Sequence, residues 1–160
     1  MTAPVHRYYA LTVQARTERA PHIRSILAAH LRYWGLEADV SAVCRATHEL
    51  FLNVAQHAGD DPTCVLELRW NGRFLTVAVS DRGPLLPRLF APARGGLATV
   101  AALSDTWGVW PTSDGKIVWF TRSAGGDRGR APVGRRPPVA LPAAERVPDG
   151  APVATVPSGG

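Results

Sequence analysis

The sequence predicts an α+β protein, a two-layer α/β sandwich in which helices cover one face of a mixed, mostly antiparallel sheet. Three observations carry this reading. Apolar residues recur at helical spacing in some stretches and alternate in others, in the order strand, helix, helix, hairpin, loop, helix, hairpin. The alternating runs keep their large apolar residues on one side, which gives a sheet with one covered face. Composition changes sharply after Thr121, so the packed part holds about 120 residues, enough for one core.

Each element follows from local chemistry. "RYYALTVQA" (Arg7 to Ala15) is rich in aromatic and β-branched residues and predicts the first strand. Thr17 is placed to cap a helix in which Ile23, Ile26, Leu27, Leu31 and Trp34 recur at helical spacing, and Gly35 stops it. Asp39 or Ser41 can cap a second helix that runs to Gly59, with Val43, Leu50 and Val54 on its buried side. "CVLELRW" and "RFLTVAVSD" are alternating runs joined by Asn71-Gly72, the dipeptide suited to a tight type I′ turn. Leu66, Leu68 and Trp70 share one face, as do Leu75, Val77 and Val79. "GGLATVAALSDTWG" is helical after its glycines, and "WGVWPTSDGKIVWFTR" forms a last hairpin around Asp114-Gly115.

From Arg122 to Gly160 the chain has seven Pro, seven Gly and no aromatic residue. Such a segment buries too little apolar surface to offset its ordering entropy, which predicts a domain over 1–121 and a disordered tail over 122–160. The formal charge of +5 divides into twelve basic and ten acidic residues through Thr121 and a surplus of three in the tail. Charge spread this way is not a nucleic-acid footprint, which needs cations clustered on a folded face. Cys44 and Cys64 fall inside apolar patterns without CxxC spacing and read as buried, reduced thiols. "MTAPVHRYY" is not a leader, and no apolar run approaches the roughly 18 residues of a membrane span, so a cytoplasmic protein is expected. His22, His30 and His48 lie at no ligand spacing, and Trp34, Trp70, Trp107, Trp110 and Trp119 are scattered as packing residues.

The chemistry concentrates in "ATHELFLNVAQHA". On a helix, Glu49, Asn53 and His57 are each one turn apart and form a polar line along one face. Asn53 is costly in mid-helix, because its amide competes for backbone groups. Downstream, "VSDRGP" ends a strand with Asp81 and Gly83. "RGGLATV" then opens a helix with Gly95 and Gly96, where backbone N–H groups can approach an anion.

Together, "HELFLNVAQHA", "VAVSDRGPLLP", "RGGLATVAALSDTWGV" and "DGKIVWF" resemble the anti-sigma-factor, serine-kinase-like branch of the ATPases that share a fold with histidine kinases, DNA gyrase and Hsp90. The resemblance covers roughly Tyr8 to Phe120 and implies an α/β sandwich of histidine-kinase type holding Mg-ATP between the motif helix and a loop. Glu49 matches the family's general base and Asn53 its Mg ligand. His57 falls where the family often has His, to pack or touch phosphate. Asp81 matches the carboxylate that accepts from the adenine amino group, Gly83 leaves room for the base, and Gly95, Gly96 and Leu97 match the phosphate-binding turn. The chain departs from the family in three places: Arg94 replaces the first glycine of G-x-G-L and can itself meet phosphate charge; the loop from Gly83 to Gly95 is short and proline-bearing; and Ile117 stands near a usual Thr. The resemblance implies a regulatory protein that binds a sigma factor and phosphorylates a serine on an antagonist protein, and it admits a homodimer. The alternative is a protein-binding module of the same fold without phosphoryl transfer.

Overall fold

Alternating exposed and half-buried side chains make β1 (Arg7–Gln14) an edge strand that sends Tyr9, Leu11 and Val13 toward the core. The computed structural model describes residues 6–57, 60–83, 95–124 and 155–157. After a 3-10 turn at Thr17–Arg19, α1 (Ala20–Tyr33) begins with Pro21 in its first turn, where a missing N–H costs nothing. Thr17 lies inside the 3-10 turn and is not the N-cap, and α1 starts without a side-chain cap. At the other end Gly35 adopts φ 78°, Gly35 N–H donates to Arg32 O at 3.0 Å and Leu36 N–H to Leu31 O at 2.8 Å. This is a Schellman ending, and the Leu31 and Leu36 side chains that flank it are both buried.

A second 3-10 turn, Glu37–Asp39, leads into α2 (Val40–His57). Ser41, expected as a cap, falls within the first turn of α2, and the Asp39 carboxylate accepts from Arg122 Nε at 3.3 Å. Val43, Leu50, Phe51 and Val54 form the buried side of α2, which packs between α1 and α3 (Gly96–Leu103).

β2 (Thr63–Trp70), β3 (Phe74–Asp81), β4 (Thr106–Pro111), β5 (Lys116–Ser123) and β6 (Thr155–Pro157) complete a sheet of order β1-β2-β3-β5-β4-β6. Every pairing among the described residues is antiparallel. The register sets Leu66 opposite Val79 and Val79 opposite Val118, so one face carries Leu66, Leu68, Val77, Val79, Val118 and Phe120 onto the helices. The bend between β2 and β3 is displaced from the predicted Asn71-Gly72 pair. Asn71 N–H donates to Phe74 O, and the Asn71 amide oxygen accepts from the N–H groups of Arg73 and Phe74 at 3.0 and 2.7 Å. The side chain thus forms its own Asx turn, leaving Gly72 and Arg73 at the tip.

The opposite face of the sheet is not the solvated surface that a single covered face implies. Ala78, Ile117 and Trp119 make a second buried cluster there, with Trp110 against it, and Thr76 and Thr121 join hydroxyls at 3.1 Å. β5 runs past the expected domain boundary: Arg122 Nη1 donates to Leu103 O at 2.8 Å, Ser123 N–H to Asp105 Oδ2 at 2.6 Å, and Ala124 is buried. Within the segment read as a tail, Thr155–Pro157 pairs with β4, while 125–154 and 158–160 lie outside the described residues. Among the described residues no helix is long and apolar enough to cross a membrane.

Candidate functional site

The line of polar residues on α2 runs between two clusters of glycine backbone. Near the middle of α2, Glu49 carries its carboxylate against Gly96, the first residue of α3, so closely that a Cβ at Gly96 would overlap Glu49 Oε2. Gly95 caps α3 at φ 81°, a conformation that glycine adopts freely. A carboxylate at this helix start sits in the favourable field of unpaired N–H groups. One turn further along, Asn53 is half-buried, and its Oδ1 is buried with no hydrogen-bond partner among the described residues. His57 closes α2, and its carbonyl oxygen faces the second cluster.

That cluster is built by the ends of β3 and β5. Asp81 ends β3 on the face shared with Val77 and Val79, so its carboxylate points into the helix layer. Asp81 Oδ1 accepts from Gly83 N–H at 2.6 Å and from Lys116 Nζ at 2.9 Å, whereas Oδ2 is buried without a partner among the described residues. A Cβ at Gly83 would stand 2.9 Å from both Asp81 Oδ1 and the His57 carbonyl and 3.0 Å from Lys116 Nζ, so only glycine fits between these groups. At the rim, exposed Arg82 reaches Asp61 at 3.3 Å and Asp114 at 3.8 Å. Such exposed pairs contribute little to stability.

Cys64 lies directly across the ladder from Asp81. Burial first, and then the Asp81 charge, push its thiol up to about 12, and burial also raises Cys44. Both cysteines are free and buried, and at neutral pH neither is a nucleophile.

The fold therefore brings Glu49 to Gly95 and Gly96, and His57 to Asp81 and Gly83, with Asn53 between. From Glu49 to His57 the helix rises about 12 Å, a span comparable with an extended nucleoside triphosphate. Leu97 turns into the hydrophobic layer and anchors α3 by packing. Arg94 and most of the loop after Gly83 lie outside the described residues. Ile117 points to the opposite sheet face, against Ala78 and Trp119, so its missing hydroxyl does not touch the Asp81 cluster. The position that does face Asp81 is Lys116, which the sequence reading passed over. Its signal was available, because Lys116 shares the inward parity of Val118 and Phe120.

Two acceptors stand out as places for a ligand. A buried acceptor left unpaired costs about 1–3 kcal/mol. The unpaired indole nitrogens of Trp70, Trp107, Trp110 and Trp119 are donors on strands, and the Thr47 hydroxyl is buried in α2. By contrast, Asn53 Oδ1 is an acceptor on the polar line of α2, and Asp81 Oδ2 is one in the cluster that the His57 carbonyl faces. An amide oxygen fits a hard cation such as Mg²⁺, and a carboxylate oxygen fits an amino donor.

Comparison with known proteins bears on the fold. A crystal structure of the RsbU and RsbW domains of Rv1364c from Mycobacterium tuberculosis shares the fold, with a TM-score of 0.60 at 21% identity over 74% of this chain. The match spans 33% of that longer chain. No curated protein matches the sequence. The family model of the histidine kinase-like ATPase domain matches residues 13–122, and the chain belongs to that family.

Proposed function

We propose that the chain is a cytoplasmic regulatory ATP-binding protein similar to the anti-sigma-factor serine kinases, holding Mg-ATP along α2. Family membership supports ATP binding, and the observation that carries the reading is the pair of buried acceptors, Asn53 Oδ1 on α2 and Asp81 Oδ2 at the end of β3, that have no partner among the described residues. Asp81 Oδ2 would accept from the adenine amino group, and Gly95 and Gly96 would offer backbone N–H groups to the phosphates. Asn53 Oδ1 would hold Mg²⁺, which when bound neutralises phosphate charge beside the Glu49 carboxylate.

In the proposed reaction a serine Oγ of an antagonist protein forms a bond to the γ-phosphorus as the bond to the β–γ bridging oxygen breaks. ADP leaves, and the serine proton passes to Glu49. A sigma factor is the second proposed partner, and transcription the process controlled. The likeness to a structure containing an RsbW domain supports this choice at the level of fold. The alternative is a partner-binding module of the same fold that holds nucleotide without transferring phosphate, and the replacement of a motif glycine by Arg94 favours it.

Calorimetric titration of ATP with and without Mg²⁺ tests the reading. Saturable binding that strengthens with Mg²⁺ is expected; no binding in either condition removes ATP from the site.

A further inference from the structure

β2 runs from Cys64, the rung partner of Asp81, to Trp70 about 20 Å away at the far end of the sheet. There a cavity of about 300 Å³ is lined by His6, Arg7, Tyr8, Arg69, Trp70 and Asn71. Its volume falls at the lower end of the range for small-molecule pockets. His6 precedes β1 and Asn71 follows β2, so the cavity wraps the strand ends and side chains from both faces of the sheet reach it.

The register sets the lining. Arg7 opposes Trp70 and Tyr8 opposes Arg69, on the last two rungs of the β1–β2 ladder. Each arginine lies against a ring, Arg69 at 4.9 Å from the centroid of Tyr8 and Arg7 at 5.9 Å from that of Tyr33. Tyr8 is 56% exposed and Tyr33 78%, so these rings serve more as supports for the arginines than as core. A guanidinium stacked in this way gives its flat face to the ring and donates from its edge. Charge in the lining is one-sided. Glu67, beside the cavity, accepts from the Tyr8 hydroxyl at 3.3 Å and meets Arg69 at 3.6 Å. Among the described residues, no carboxylate comes within ion-pair distance of Arg7 or His6.

We propose that this cavity is a separate binding site for a small phosphate monoester with a flat, apolar body. Arg7 and Arg69 donate from their N–H edges to the phosphate oxygens, and the His6 imidazole supplies a third N–H. Three donor groups match the three terminal oxygens of a monoester better than the two of a carboxylate. The body of the ligand rests against the Tyr8 and Trp70 rings, which form the apolar part of the lining.

The test is residue-resolved NMR of the full chain titrated with phenyl phosphate and with benzoate, which has the same ring and one oxygen fewer. Saturable shifts are expected at the amides of Arg7, Tyr8, Trp70 and Asn71, with benzoate binding about tenfold or more weakly, the loss typical of a hydrogen bond to a charged group. Arg7→Gln, an exposed substitution that spares the core, should weaken phenyl phosphate by a similar factor. Shifts confined to Gly95, Gly96 and α2 would put the ligand in the nucleotide site and overturn this one. Equal affinity for the two ligands, or full affinity in Arg7→Gln, also overturns it. Should Arg7→Gln not fold, the location of the shifts and the comparison of ligands on the wild type decide alone.

Discussion

Gly108 faces Trp119 across the β4–β5 ladder, and a Cβ at Gly108 would stand 2.7 Å from Cζ2 of the indole. The ring is 1% exposed. Gly108→Ala should therefore destabilise by about 1–3 kcal/mol, the usual cost of overpacking. Chemical denaturation checks this; an unchanged midpoint would mean that the indole can shift.

Arg122 is the second structural prediction. Its side chain bonds the buried Asp39 carboxylate and the carbonyl of Leu103, the last residue of α3, joining β5 to two helical regions. Arg122→Ala should cost about 2 kcal/mol, and a chain ending at Thr121 should be less stable than one ending at Ala124. Thermal melts of the two truncations give the comparison. Equal melting temperatures would place the domain boundary at Thr121 after all.

The Cys64 thiol yields a pH prediction. Its folded value of about 12 is raised above the ordinary value of 9.0. The folded state thus favours the neutral thiol, and its stabilising contribution is complete below about pH 9 and is lost as pH rises toward 12. Denaturant midpoints measured from pH 8 to 11 should fall more steeply for the wild type than for Cys64→Val. Parallel curves would remove Cys64 as the cause.

For the metal, Asn53→Ala should weaken ATP binding in the presence of Mg²⁺ by roughly tenfold and have little effect in EDTA, because only the cation uses the amide oxygen. Equal losses in both conditions would point to a structural role for the side chain.

For catalysis, Glu49→Gln should keep nucleotide binding and lower phosphate transfer to a serine-bearing antagonist by roughly 10²–10⁴-fold. Radiolabelled transfer measures it. Robust transfer by the variant would rule out Glu49 as base, and binding without any transfer by the wild type would favour the non-catalytic module.

The elements were legible where one periodicity dominates. Ile23, Leu27 and Leu31 mark α1, the alternation in "RFLTVAVSD" marks β3, and Gly35 stops α1 with the left-handed φ that only its residue type makes easy. The line Glu49, Asn53, His57 was legible because helix geometry alone aligns it. Features that depend on distant partners were not. Thr17 has the chemistry of a cap, but Pro21 shifts the helix start beyond it. Ile117 and Trp119 look like one side of an ordinary strand, and only the register with Ala78 and Gly108 shows that they bury the second face. Lys116 is a surface residue by composition, and it becomes a site residue only when the hairpin returns it to Asp81, 35 positions earlier.

That return has a consequence for folding. Side chains on a strand alternate between faces, so a slip of β5 by one residue would turn Lys116 to the Trp119 face and carry Ile117 inward beside the Asp81 carboxylate. Each wrong alignment would strand a charge against hydrocarbon, and the native one lets the two charges meet. The pair then serves as a registration mark for the β3–β5 ladder, since only the native alignment brings the two charges together.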